Sequence, residues 1–102
     1  MAMLVLPAEL THAQATTCLD MLREAARHAQ ADLVFVDASA LVRFDSSALA
    51  VLLECRREAM HDGKGFAVRG LAPRLRELAQ LYGVAELLNE VPDPVGAVVF
   101  AD

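Results

Sequence analysis

Three observations predict a small α/β domain with a mostly parallel sheet and helices mainly on one side of it. Short apolar runs, Met3-Leu4-Val5-Leu6, Leu33-Val34-Phe35-Val36 and Phe66-Ala67-Val68-Arg69, alternate with longer segments whose apolar residues recur at helical spacing. The Leu33 to Val36 run shows no polar alternation, as expected of a strand covered on both faces. Turn residues separate the segments, most clearly Asp62-Gly63-Lys64-Gly65 and Gly70-Leu71-Ala72-Pro73.

Taken in order, Met3 to Leu6 is a first strand closed by Pro7. Thr11 is the N-cap of a helix over about 12–29, with Ala15, Cys18, Leu19, Leu22, Ala25 and Ala26 on one stripe. After the second strand, Asp45 or Ser46 opens a second helix that runs to about His61. A third helix follows Gly70, with Pro73 tolerated in its first turn. Leu75, Leu78, Ala79 and Tyr82 form its apolar stripe, and Gly83-Val84 is a helix stop. Leu87-Leu88 is the expected last strand, and Pro92-Asp93-Pro94 a rigid turn before the apolar run Val95 to Phe100. Residues 1–91 therefore read as one domain and 92–102 as a tail suited to an edge strand or an interface.

Composition narrows the function classes. At 102 residues, 56% hydrophobic and 23% charged, the chain supports one folded core and is not a disordered segment. A formal net charge of -5 opposes binding to nucleic acid or to an anionic lipid surface. Cys18 and Cys55 lie inside predicted helices without metal-ligand spacing, as buried free thiols of a reducing compartment do. Met1 to Leu6 lacks the basic start of a signal peptide, and no apolar stretch approaches the roughly 20 residues that span a bilayer. The expected location is cytoplasmic.

Asp45-Ser46-Ser47 is the local candidate for function. Small oxygens at a helix mouth can cap it, accept a phosphate, or be read by a partner. Asp45 is the better cap, because its carboxylate also complements the positive end of the helix dipole. Ser46 would then hold the first helical position with its hydroxyl unused. Along the same helix, Ala48, Val51, Leu52, Cys55 and Ala59 make a stripe for the sheet. Leu49, Leu53 and Met60 make a second stripe, flanked by Arg56 and Arg57, that either completes the core or meets a partner.

Enzyme chemistry finds little support. His12, His28 and His61 are scattered over helix starts and ends, so a serine nucleophile has no positioned base. Asp37 and Asp45 flank the strand-to-helix connection, eight positions apart, which is thin support for a cation or phosphoryl site. The glycines form neither a P-loop nor a dinucleotide fingerprint. The expectation is a protein that is not an enzyme, with no cofactor and no metal.

The segment VDASALVRFDSSALAVLL, residues 36–53, resembles the core signature of STAS domains: strand, loop, Asp-Ser/Thr-Ser/Gly, helix. Leu4 to Leu10 resembles the strand and turn before the family's first helix, with Pro7-Ala8 in place of the usual glycine region. Leu78-Ala79-Gln80-Leu81-Tyr82-Gly83-Val84 resembles the third-helix ending of MlaB, the small subunit of the Mla phospholipid ABC transporter. The resemblance covers about residues 3–90 and implies a single STAS domain acting by docking. It implies the transporter ATPase as partner and a role in outer-membrane lipid asymmetry, with membrane contact only through the transporter complex at the inner membrane. The alternative is an anti-sigma factor antagonist whose Ser46 is phosphorylated by an anti-sigma factor kinase. By the same resemblance Ser46 is the recognised hydroxyl, Asp45 the preceding acidic residue and Ser47 the Ser/Gly position. Leu49, Leu53, Arg56 and Arg57 are secondary contact candidates, and a homodimer is a further arrangement. Many relatives carry an additional N-terminal strand and a final helix; the run Val95 to Phe100 is instead expected to cover a sheet edge.

Overall fold

The computed structural model describes residues 2–91. The domain line drawn at residue 91 and the tail beyond it lie at and outside that limit. The elements are β1 Ala2–Val5, β2 Glu9–Leu10, α1 His12–His28, β3 Leu33–Asp37, β4 Arg43–Phe44, α2 Ser47–His61, β5 Gly65–Arg69, α3 Pro73–Leu81 and α4 Ala85–Leu88. The main sheet has the order β1-β3-β5 with both pairings parallel, as repeated strand–helix units demand. The expected α/β class with a small parallel sheet is what forms.

Apolar residues of the strands and of the four described helices close one cluster. Leu4, Val34, Val36, Phe66 and Val68 come from the sheet, Cys18 and Leu22 from α1, Leu52 and Cys55 from α2, Leu75 from α3 and Leu88 from α4. Burial of this kind contributes about 25 cal/mol per Å² of apolar surface, and it holds the helices on one side of the sheet. Burial also pushes the Cys55 thiol up to about 11, and raises that of Cys18. Both thiols are free and buried, as predicted, and their thiolates are disfavoured.

Three details differ from the sequence reading. Leu87-Leu88 is part of the short helix α4, with Leu88 fully buried, and not a strand. Asn89 ends that helix at φ 51, and the chain turns extended only then, pairing Glu90 in parallel with Val68. Tyr82 does not extend the α3 stripe but is its C-cap and 58% exposed, because the stop at Gly83 swings it outward. That stop has the expected form: Gly83 at φ +73 donates to Gln80 O at 3.0 Å, and Val84 to Ala79 O at 2.9 Å. Finally, β2 and β4 form a separate two-residue parallel pair that no sequence period could reveal.

Candidate functional site

The β2–β4 pair decides where the mouth of α2 sits. Glu9 lies beside Arg43 and Leu10 beside Phe44, and the N–H groups of Val42 and Arg43 both donate to Ala8 O. A Glu9–Arg43 ion pair at 3.6 Å reinforces the crossing. The loop that leads into α2 is thus tied to the loop that leads into α1, and the two helix N-termini lie side by side.

Asp45 joins them. Its Oδ1 accepts from Ser47 N–H at 2.8 Å, the first turn of α2, and its Oδ2 accepts from His12 N–H at 3.1 Å, the first residue of α1. One carboxylate therefore satisfies an otherwise unpaired donor at each helix mouth and faces the positive ends of both dipoles. The Ser47 and His12 amide bonds, outweighing partial desolvation, hold its carboxyl below the ordinary aspartate range. The remaining exposed N-terminus of α1 is served by Thr11 and Gln14: Gln14 Oε1 accepts from the Thr11 amide at 2.9 Å and hydroxyl at 2.7 Å.

Asp45 does the capping, and Ser46 stands beside it at the helix mouth. It has helical geometry, φ -63 and ψ -15, is exposed, and makes no side-chain cap bond. Its carbonyl already accepts from Leu49 and Ala50, so Ser46 is in effect the first turn of α2. Ser47 is half-buried against the loop. The expectation that Asp45 caps and Ser46 stays open at the helix mouth describes this geometry.

The rest of α2 sorts into three rows. Ala48, Val51, Leu52, Cys55 and Ala59 are buried, as the first stripe predicts. Glu54 and Glu58 face α1, where Arg23 Nη2 meets Glu54 at 3.2 Å and Arg23 Nε meets Glu58 at 3.3 Å. Ser46, Ala50, Leu53 and Arg57, spaced four, three and four residues apart, share the outward face. Leu49 departs from expectation. It is 3% exposed and belongs to the core, so its side chain is not available to a partner. The helix turns about 100° per residue, which puts Leu49 nearer the core row than the outward one. Leu53 is half-buried, Arg56 half-buried and Arg57 exposed, with the Arg57 guanidinium folded back on Glu54. A shallow groove runs beside this face, lined by Ala15, Thr16 and Leu19 of α1 and by Ala50, Val51 and Glu54 of α2.

Asp37, weighed in the sequence as a phosphoryl or cation ligand, is occupied structurally. It is 8% exposed at the end of β3, with Oδ1 accepting from the Ser39 amide at 2.9 Å and hydroxyl at 2.6 Å. Its Oδ2 accepts from Arg69 Nη2 at 2.8 Å. Burial raises its pKa, but the Ser39 hydroxyl and amide together with Arg69 bring it below the ordinary value. Among the described residues, no group of three or more His, Cys, Asp or Glu side chains is placed to hold a metal ion. His12, His28 and His61 are all exposed, on separate helix ends. No described helix is long and apolar enough to cross a membrane.

Sequence reasoning missed the double role of Asp45, the Asp37–Arg69 pair, and Lys64. Lys64 Nζ donates to Ala26 O at 2.8 Å and Ala29 O at 2.9 Å, closing the C-terminal end of α1. Each of these links residues more than thirty positions apart, and only the general affinity of lysine for helix C-termini hinted at the last.

Comparison with known proteins fits this geometry. The chain resembles, at 21% identity and a TM-score of 0.77, an anti-sigma-factor antagonist (STAS) domain protein from Planctomyces limnophilus, over 95% of this chain and 86% of that one. It also resembles the anti-sigma factor antagonist SpoIIAA in its unphosphorylated form, at 16% identity and a TM-score of 0.74, over 95% and 83%. The SulP transporter STAS domain from Vibrio cholerae is similar at 16% identity and a TM-score of 0.67, over 98% and 80%. At such identities these likenesses establish the fold alone. No curated protein matches the sequence. The family model described as "Mlab, STAS domain" matches residues 2–89. A parallel β1-β3-β5 sheet, helices gathered on one face and an acidic-serine helix mouth are therefore those of a STAS domain, and the chain belongs to the MlaB-type STAS family.

Proposed function

We propose that this protein is a non-catalytic regulatory subunit that docks on the ATPase of an Mla-type phospholipid-transport ABC transporter. One observation carries the reading: Asp45 takes over the capping of α2, which leaves the Ser46 hydroxyl exposed and without a capping bond at the head of an outward helix face. Leu53 and Arg57 continue that face, and Arg56 flanks it. A half-buried leucine beside Arg56 offers an apolar anchor with a cationic group able to meet carboxylates on a partner, Arg57 being paired with Glu54. The MlaB-type family model supports a transporter ATPase as that partner. The protein works in the cytoplasm and reaches the membrane only through this complex.

A partner-switching antagonist is the second reading, favoured by the same exposed Ser46. A phosphate there would sit at a helix N-terminus but beside the Asp45 carboxylate. It would change the surface by charge and bulk while α2 stays folded.

Affinity capture from the native cell tests the choice. The expected result is recovery of an ABC ATPase with its permease, with Ser46→Glu reducing recovery at least about tenfold, a loss of roughly 1.4 kcal/mol. Capture of a kinase-fold anti-sigma factor alone would transfer the assignment to the second reading. Full recovery with Ser46→Glu would remove Ser46 from either interface.

A further inference from the structure

Among the described residues, the outer edge of β1 is the open margin of the main sheet. The far side of β5 meets Glu90 and Val91, whereas β1 pairs only with β3. Leu6 N–H donates to Asp37 O at 2.9 Å, and alternation along a strand turns the N–H and C=O groups of Met3 and Val5 the other way, toward that edge. Natural sheets guard such an edge with charge, proline or a bulge. The strand Ala2–Val5 has none of these. Beside it an apolar groove of about 490 Å³ runs between β1 and α1, lined by Val5, Leu6, Pro7, Ala13, Met21 and Leu22. Val5 is 61% exposed and Met21 68%. On α1, Gln14, Thr17, Met21, Ala25 and His28 recur every three or four positions on this side, and none is an acid, a lysine or an arginine. Glu9, the charged residue of the groove wall, is occupied within its own chain. It pairs with Arg43 at 3.6 Å and accepts from Gln14 Nε2 at 2.7 Å.

We propose that this flank binds a second copy of the chain, the two β1 strands pairing antiparallel about a two-fold axis through Leu4. Charge selects that occupant. Each copy carries a net charge of -5, so two copies repel unless they meet where no unpaired charge stands, and the β1–α1 flank is such a place. With the axis at Leu4, Met3 faces Val5 of the partner subunit, and the two exchange the N–H···O bonds that the open edge lacks. An axis perpendicular to the sheet keeps both α1 helices on one side and turns the Met21 stripe of each toward that of the other. The area is sufficient. The 17 residues of α1 span about 25 Å, and a helix layer on a sheet layer is about 20 Å deep. The flank thus offers about 500 Å² per copy and about 1,000 Å² in total, the lower bound of a specific interface. Such a contact is specific and weak, with a Kd of about 10–100 µM. Thr16, Leu19 and Arg23 face α2 from the other side of α1, so the dimer leaves the Ser46 surface open and does not depend on it.

Sedimentation velocity on the full chain, from about 5 to 500 µM, tests it. The expected result is a monomer at the low end and a dimer at the high end. Val5→Lys and Met21→Glu, both at exposed positions, should each raise the dimer Kd at least about tenfold while leaving the Tm of the dilute protein unchanged. Hydrogen exchange locates the contact: the Met3 and Val5 amides should exchange several-fold more slowly in the concentrated sample. A chain that stays monomeric over the whole range would overturn the proposal. So would a dimer that neither variant weakens, since its contact would lie elsewhere. Met3 and Val5 amides protected equally at every concentration would assign the edge to a segment of the same chain, and the proposal would fall.

Discussion

Asp45 carries more of the site's architecture than Ser46 does. Its two oxygens serve the mouths of α1 and α2 at once, so removing them frees donors on both helices. Asp45→Ala is expected to lower Tm by about 5 °C, and to weaken partner binding even with Ser46 intact, since the helix mouth it sets loosens. Thermal melts and capture of the same variant check both parts. Gly70 is the second residue on which local geometry depends. It sits at φ +72, and a Cβ there would lie 2.9 Å from Ser39 Cβ and 3.0 Å from Ser39 N. Gly70→Ala therefore meets both backbone strain and the turn that holds Asp37, and should cost about 2 kcal/mol in a denaturant titration.

At the scale of an element, α2 shows how one helix serves two purposes. Leu49 and Leu53 are a turn apart and both apolar, and the sequence pairs them as one stripe. Packing separates them: Leu49 is in the core, while Leu53 is half-buried on the Ser46 face. Leu49→Ala should cost about 2–4 kcal/mol of stability. Leu53, half-buried and packed against the edge of the core, should cost less than Leu49 when replaced by alanine, yet Leu53→Ala should reduce recovery of the partner. Equal stability losses with unchanged recovery would show that the outward face is not a contact surface. The helices and main strands were legible because their periods are long and their caps distinct, Thr11, Pro73 and Gly83 among them. The two-residue pair β2–β4 and the four-residue α4 were not, because segments so short carry no period to read.

For the whole molecule, carboxylates set the response to acid. Asp37, Asp45, Glu54 and Glu90 all have lowered pKa values, through hydrogen bonds and cationic partners that outweigh burial. Glu90 is held by Arg76 through two bonds of 2.7 Å, which ties α3 to the strand-like segment after α4. A lowered native pKa gives stability that is complete above the unfolded values of about 3.9–4.3. It is lost as pH falls through the native values. Tm should accordingly stay level from about pH 6 to 8 and drop below about pH 4. Asp37→Asn should lower Tm at neutral pH and flatten the acid limb. An acid limb of unchanged slope in that variant would contradict a role for the Asp37–Arg69 pair.

The sequence by itself determined the α/β class, the order of the main strands and helices, and the candidacy of Asp45-Ser46-Ser47. Those depend on local quantities: apolar period, cap chemistry and turn residues, all contained within a dozen positions. Only the tertiary structure decided which oxygen caps what and which leucine of α2 faces outward. It also decided that Asp37 is committed to Arg69 and Ser39. The physical reason is distance along the chain. Asp45 meets His12 and Asp37 meets Arg69 across more than thirty residues, and such pairings arise only when the parallel sheet brings the strand ends together.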